Sequence, residues 1–430
     1  MIELTHLKRL KTVRSNAGIK LLTPCAYPGS HCPLHTALSL AGNVKGLSTL
    51  VIGTPECTNY SRLIVPWPKG ENGELHWMYT LDSNEVVFGC RNGLMAALHK
   101  MYRAGVKAVM MIATCVPELI GEDLEGLVYE IQSEINLKLG YVMLGHFKCN
   151  SYPSGSWKTL LAIGDMMVSA ENTSRTVNVL GRSPAEEHEP MPSFLLHLME
   201  QGVQLRFLAP DASYESFMQA PDAVLNLVVS PYTHPLAVRM EERFGIPFIS
   251  LHNSYRVAEI ETAYAQVMQG LGFSSSVRFK EEAAEVHKLQ KQVSEKVDGL
   301  KYAMGPIGPI LALPIAEYLA QLGMVPVLLH IEEWYPDDRQ WSNKLLERGH
   351  NPPVCHMASG RLDWRLIEQL EPDVYIGLPL GNSEGLVSVP FMQEIYGKIG
   401  YEKTTALLEK LLASLETLPL EKGVTDDGTS

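Results

Sequence analysis

Several large classes of protein are excluded by what this chain lacks. Acidic residues outnumber basic ones, 48 to 36, for a formal charge of −12. No basic run exceeds a few residues, so the chain has no global attraction for phosphate backbones and nucleic acid is not an expected partner. The densest basic cluster, Lys8, Arg9 and Lys11, reads as a solvated helix face. Long uninterrupted apolar runs are missing too. The most apolar stretch, 304–331, carries Glu317 and Gln321 and is broken by Pro306, Pro309, Pro314 and Pro326. It reads as loop, helix, turn and strand, not as a membrane span. Residues 1–11 have no apolar core behind their basic residues, as a signal peptide would require. A cytoplasmic protein without membrane contact is the expectation. No G-x-x-x-x-G-K-[ST] loop occurs, so nucleotide hydrolysis through such a loop is not expected. Gly305-Pro-Ile-Gly-Pro resembles a dinucleotide turn only loosely, because Pro306 and Pro309 remove the backbone donors phosphate binding needs.

What is present is an ordinary globular balance, 46% hydrophobic and 20% charged over 430 residues. Short apolar, β-branched runs at 49–52, 108–112, 176–180, 204–208, 223–229, 247–251, 325–330 and 374–376 read as buried parallel strands. Between them lie segments of helical period, several ending at a glycine: 89–104, 121–137, 192–202, 234–245, 257–270 and 311–323. Helix, glycine, apolar strand and polar loop in repetition is βαβ grammar. The expected fold class is α/β, with three Rossmann-like domains, each a mostly parallel sheet flanked by helices. The boundaries read as 1–170, then 171–300 including a charged helical connector at 279–300, then 301–420 closing on an amphipathic helix at 401–415. Residues 421–430 read as a disordered tail.

Seven cysteines, an odd number in a long chain, argue against a disulfide framework and leave thiols for metal or redox chemistry. Cys25 sits in a Pro/Gly loop, Cys57 just past a strand, and Cys115 just past another strand and before a helix. In open α/β sheets, ligands gather outside the carboxyl ends of strands. Three thiols converging there would suit an iron–sulfur cluster; the alternative is that each is a small buried hydrophobe. The spacing alone does not choose between these.

The local sequences resemble component 1 of nitrogenase and nitrogenase-like reductases. The resemblance rests on Cys-Ala-Tyr-Pro-Gly-Ser at 25–30, Gly-Thr-Pro-Glu-Cys-Thr-Asn-Tyr-Ser at 53–61, Val-Phe-Gly-Cys-Arg-Asn-Gly-Leu at 87–94 and Ala-Thr-Cys-Val-Pro-Glu-Leu-Ile-Gly-Glu-Asp at 113–123. Further pieces lie at 225–230, 240–248 and 395–404. The resemblance implies three α/β domains and an iron–sulfur cluster, 4Fe-4S or larger, at the interface with a homologous subunit, itself or a paralogue. It places the cluster on Cys25, Cys57 and Cys115, and it implies a separate ATP-dependent iron protein that delivers electrons.

Departures from the family pattern limit what carries over. Ser230 stands where the nitrogenase catalytic subunit ties its metal cofactor to a cysteine, and 377–388 contains no histidine. Trp157 and Leu161 stand where that subunit presents Gln and His. The resemblance therefore implies either reduction of an organic small molecule or, as the alternative, a scaffold for assembling a nitrogenase-type metal cofactor. In the reductase reading the substrate lies near Ser230, His234 and the 150–158 loop. His234 is then a proton donor, since an unperturbed imidazole titrates near pH ~6.5, and Lys158 and Arg256 are candidate anion binders. The other reading of His234 is a helix N-terminal ring packed for structure. Cys32 and Cys90 are candidate auxiliary ligands with a structural default, and Cys149 and Cys355 read as structural.

Overall fold

The computed structural model describes residues 4–24, 32–145, 152–170, 175–182, 190–209, 211–273, 279–308, 310–335, 337–358, 360–378, 386–389, 395 and 397–416. Cys25, Cys149, the 150–151 part of the expected substrate loop and the 421–430 tail lie outside them. In chain order the elements are β1 (Lys8–Arg9), β2 (Lys20–Leu21), α1 (Pro33–Ala41), β3 (Ser48–Gly53), α2 (Pro55–Ile64), β4 (His76–Thr80), α3 (Ser83–Phe88), α4 (Arg91–Arg103), β5 (Ala108–Ala113), α5 (Cys115–Leu119), α6 (Leu124–Glu134), β6 (Lys138–Met143) and α7 (Tyr152–Met166). Next come β7 (Thr176–Leu180), α8 (Ser193–Glu200), β8 (Gln204–Leu208), α9 (Tyr214–Gln219), β9 (Leu225–Val228), α10 (His234–Phe244), β10 (Phe248–Ser250), α11 (Val257–Gly270) and α12 (Lys280–Val297). The last run is β11 (Lys301–Met304), α13 (Ala312–Gln321), β12 (Val325–His330), α14 (Asp338–Glu347), β13 (Pro353–His356), α15 (Arg361–Glu368), β14 (Val374–Ile376), β15 (Val387–Val389) and α16 (Gly400–Leu415).

The strands form three sheets. The first, in the order β4-β3-β5-β6, is parallel throughout. So is the second, β10-β9-β7-β8. The third runs β1-β13-β12-β11-β14-β15, with β2 also on β13, and is parallel except for the β1–β13 pair. This is the α/β class expected, parallel sheets flanked by helices. The first two dozen residues differ from expectation. Lys8 pairs with Val354 and Lys20 with Cys355, so the start of the chain extends the last sheet and not the first. Lys8 and Arg9 are exposed on an edge strand, not on a helix. Charged side chains are a usual feature of strands with an open edge.

Parallel strands covered on both faces are apolar throughout, and β5 shows why. Ala108, Met110 and Ile112 pack into one core while Val109, Met111 and Ala113 pack into another. The second sheet links two cores in the same way: Val177 and Val179 face the third sheet's core, and Leu180 faces the first sheet's. Burial of each large side chain contributes ~1.5–3 kcal/mol, so the sheets are tied by shared cores as well as by the chain. The charged connector is α12, whose Val286, Leu289, Val293 and Val297 recur on one buried face.

Candidate functional site

The strand–helix turns at the carboxyl edge of the first sheet position the cysteines. Thr54 precedes α2 as an extended residue and Pro55 opens the helix, where its missing N–H costs nothing. Cys57 follows in the first turn. On the neighbouring strand, the Thr114 N–H and hydroxyl both donate to the Ile52 carbonyl, at 3.0 and 2.9 Å, and Cys115 opens α5. Because Ile52 pairs with Ala113 across the sheet, Cys57 and Cys115 leave adjacent strands at the same level. Gly53 makes that closeness possible: a Cβ there would lie 2.4 Å from Thr114 Oγ1 and 3.0 Å from Cys57 Cβ. Both thiol residues are partly exposed. Among the described residues no three His, Cys, Asp or Glu side chains converge as a metal site. The third expected thiol, Cys25, is outside that set. Two cysteines at the carboxyl ends of neighbouring strands fit an iron–sulfur cluster in chemistry and placement.

Cys90 is placed differently. It is 1% exposed, packs into the core behind the sheet, and its N–H donates to Glu122 Oε2 at 2.9 Å. Burial raises the thiol pKa, and the Glu122 carboxylate beside it raises it further. Such a thiol stays protonated, which suits structure better than ligation. Cys355 is likewise fully buried, its thiol pushed up by burial. Cys32 is partly exposed, precedes α1, and packs at the edge of the core shared by the first two sheets.

The same edge carries large apolar side chains in water. Phe88 is 85% exposed, Leu63 80%, and Val87 and Leu119 each 71%. They lie on α2, α3 and α5, the helices that follow β3, β4 and β5. Soluble single chains rarely leave such side chains clustered in water unless something covers them.

A second feature is a cavity of about 410 Å³ lined by connections from all three sheets. Its walls include Thr36 and Ser39 of α1, Ser156 and Leu160 of α7, Ser230 and Tyr232 after β9, His252 after β10, Ile310, Lys398, and Lys403 of α16. Ser230 reaches the wall because Gly181, at φ +105°, lies against it; a Cβ on Gly181 would fall 2.4 Å from Ser230 Cβ. His252 is buried, and its pKa is pushed down to about 3 by burial, by the charge of Lys403 and by His234. Lys403 is buried, and burial pushes its pKa down to about 7. Its ammonium donates to the His252 carbonyl and lies 4.6 Å from the centre of the Tyr255 ring.

The residues expected at the site therefore separate. Ser230 lines the cavity. His234 sits beside it, behind His252: its Nδ1 is 3.4 Å from Ser250 Oγ, its Nε2 is 3.7 Å from Asp337 Oδ2, and its ring meets Phe248 edge-on. Lys158 lies in the expected substrate loop, yet from residue 152 onward that segment is helix α7. Ser156 and Leu160 face the cavity, and Lys158 faces a groove on the other side with Leu161 and Asp165. Trp157 donates to both carboxylate oxygens of Glu333 at 3.1 Å. Arg256 is held by Glu259, Glu317 and Gln321. His252 and Lys403 were not singled out in the sequence. Lys403 had a legible signal: with Leu407 and Leu411 it forms an i, i+4, i+8 stripe, so a cation occupies a buried helix position.

Tyr232 and Ile310 also border a smaller hollow containing Glu332, Glu333 and Asp338. Burial raises the Glu332 carboxyl to about 7, with the Glu333 charge adding to it. Burial raises Asp338 to about 7 as well, offset in part by a hydrogen bond from the Tyr335 N–H.

Residues 32–416 match the family model of nitrogenase component 1 type oxidoreductases. Among characterised relatives, the chain is 23% identical over 281 residues to the nitrogenase iron-molybdenum cofactor biosynthesis protein NifE of Clostridium pasteurianum, covering 63% of this chain and 60% of that protein. It is 24% identical over 255 residues to the nitrogenase molybdenum-iron protein alpha chain of Methanosarcina barkeri, covering 55% and 45%. The chain thus spans about three-fifths of the length of the first relatives it matches. Among solved structures, nitrogenase Cp1 at pH 6.5 superposes with a TM-score of 0.69 at 15% identity, over 93% of this chain and 95% of that one, a likeness of fold. Among the described residues, no helix is long and apolar enough to cross a membrane.

Proposed function

We propose that this chain, which belongs to the nitrogenase component 1 type oxidoreductase family, is a subunit that holds a nitrogenase-type metal cofactor or its precursor during assembly. The observation that carries this reading is the cavity's chemistry. Its described walls offer Ser230, Thr36, an imidazole, two ammonium groups and the Asp211 carboxylate, but no thiol. A serine hydroxyl is a harder and far less acidic ligand than a thiolate, so it does not fix an iron–sulfur centre permanently. Walls that hold by charge and shape suit a cargo that must leave again. The relatives matched along the chain, several of them named as cofactor biosynthesis proteins, support the same reading.

In this reading Cys57 and Cys115, with Cys25, hold an iron–sulfur cluster at the exposed apolar edge, where a homologous subunit, itself or a paralogue, covers Phe88, Leu63 and Leu119. The cluster supplies a site for one-electron transfer; the residues around it exclude water and set its position. An ATP-dependent iron protein is the proposed electron donor.

A second reading, reduction of an organic small molecule in the cavity, has one observation in its favour. The volume falls within the ~300–1,000 Å³ of small-molecule sites, and Leu40, Leu160, Val229 and Ile310 make part of its wall apolar. Iron and acid-labile sulfide analysis of anaerobically purified protein separates the two. Iron that survives Cys57→Ala/Cys115→Ala and leaves on mixing with a metal-free acceptor supports the scaffold. Iron lost completely in that variant, with substrate turnover by the parent protein that requires the iron protein and ATP, supports the reductase. Parent protein without iron above background overturns both.

A further inference from the structure

We propose that the occupant of the central cavity is held through a carboxylate that docks on the Lys403 ammonium. This deepens the reading above, and rests on it only in placing the occupant in this cavity. Lys403 is 5% exposed, in the first turn of α16, where the helix otherwise buries Leu407 and Leu411. An ammonium carries three N–H donors. The carbonyl of His252 accepts from it and the Tyr255 ring lies 4.6 Å away. Among the described residues no carboxylate pairs with it. A buried cation without a counter-ion is costly to folding. Placed on a cavity wall, it is satisfied when an anion enters.

The surroundings narrow the anion's class. His252, beside the ammonium, is held neutral by burial first and by the Lys403 charge next, so it adds a dipole and no second charge. Ser230 and Thr36 add hydroxyls, and Lys398 and Asp211 add one charge of each sign to the same wall. No arginine is among the described wall residues, so the planar fork that clamps phosphate is missing. Leu40, Leu160, Val229 and Ile310 make part of the wall apolar. With Asp211 on the same wall, the net charge offered is that of one ammonium, and one ammonium with hydroxyls and an apolar remainder fits a single organic carboxylate better than a multiply charged inorganic oxyanion.

The test is isothermal titration of the purified, full-length protein with glutarate and with its uncharged isostere glutaramide. Glutarate is expected to bind and glutaramide to bind at least tenfold more weakly. Lys403→Met is expected to lose at least tenfold in glutarate affinity, and Lys403→Arg to stay within a few-fold of the parent. The glutarate–glutaramide comparison needs no variant, so it decides the matter even if Lys403→Met folds poorly. Equal affinities for the two compounds, no binding of glutarate at 10 mM, or unchanged affinity in folded Lys403→Met would overturn the proposal. Iron analysis of the same preparation keeps the two readings apart. Metal-free protein that binds glutarate through Lys403 sinks the scaffold and leaves this inference standing. Protein that is purified iron-loaded, and that stays indifferent to glutarate once its iron has passed to a metal-free acceptor, does the reverse.

Discussion

The ammonium of Lys403 on α16 donates to the backbone carbonyl of His252 after β10, so the last helix of the chain is pinned to the second sheet by a buried cation. This contact makes stability depend on pH in a defined sense. The folded-state pKa of Lys403 is lowered from 10.5 to about 7. Between those values the unfolded chain binds the proton and the folded one does not. Stability therefore rises with pH from about 7 towards 10.5, and the full penalty is felt below 7. Lys403→Met removes it. The variant is expected to be more stable than the parent at pH 7, by a few kcal/mol at most, and its advantage should shrink by pH 9. Thermal melts of both proteins at the two pH values check this. An advantage that grows with pH would contradict it.

His252 acts in the same sense over the acid range. Its pKa is lowered to about 3 from 6.5, so the unfolded state binds more protons in that interval and stability falls as pH drops from 6.5 towards 3. His252→Gln should flatten that fall in urea titrations at pH 4 and pH 6.5. An equally steep loss in the variant would mean that other groups govern the acid limb.

A second buried charge sits between helices. Glu317 on α13 is 2% exposed and accepts from Arg256, which precedes α11, and from Arg348 at the end of α14, the latter at 2.7 Å. Removing one partner of a buried pair leaves the others uncompensated. Glu317→Leu should cost ~3–5 kcal/mol, read as a lower urea midpoint. A change under ~0.5 kcal/mol would show the network to be as weak as an exposed pair.

The fold was legible where strands are buried on both faces. β3, β5, β7 and β14 lie where continuous apolar runs put them. β4 and β6 were not read, and both are edges of the first sheet. His76 in β4 and Lys138 and Gly140 in β6 interrupt the apolar pattern that marks a central strand. β13 begins on Pro353, which is tolerated at a strand's first residue but reads as a breaker. The pairing of β1 and β2 with β13 joins residues more than 300 positions apart, and no local pattern encodes it. At the site, Ser230 followed from the end of β9, whereas His234 and His252 are both near strand ends and only the turn geometry decides which faces the cavity.

The cysteines divide by environment, and this makes their replacement informative. Cys57 and Cys115 are partly exposed at neighbouring strand ends, whereas Cys90 and Cys355 are buried. Cys57→Ala and Cys115→Ala should each remove the edge cluster's share of the iron and of the visible absorbance of anaerobically purified protein, leaving the iron that passes to a metal-free acceptor. Cys90→Ala and Cys355→Ala should keep both and lose only stability, by ~1–3 kcal/mol from the cavity left behind. Metal analysis beside denaturant titration reads the two effects separately. Full iron in the Cys57 and Cys115 variants would remove these residues from the cluster.

The exposed apolar edge predicts how assembly responds to charge. Phe88 ends α3 and Leu119 ends α5, each with most of its surface in water. An aspartate at either position costs the isolated chain little, because an exposed side chain has few packing contacts to lose and such substitutions are usually within about ±0.5 kcal/mol. Under a partner the same carboxylate would be desolvated without a counter-charge, at a cost of several kcal/mol. Phe88→Asp and Leu119→Asp should therefore lower the mass of the native particle towards that of a single chain. The monomer's unfolding midpoint should hardly move. Light scattering across a dilution series measures the first and urea unfolding the second. Aspartate variants that associate as tightly as the parent would show that the partner docks elsewhere. A parent protein that is already a single chain at high concentration would put the partner outside this chain's own copies, and the two variants would then be compared for capture of the homologous subunit.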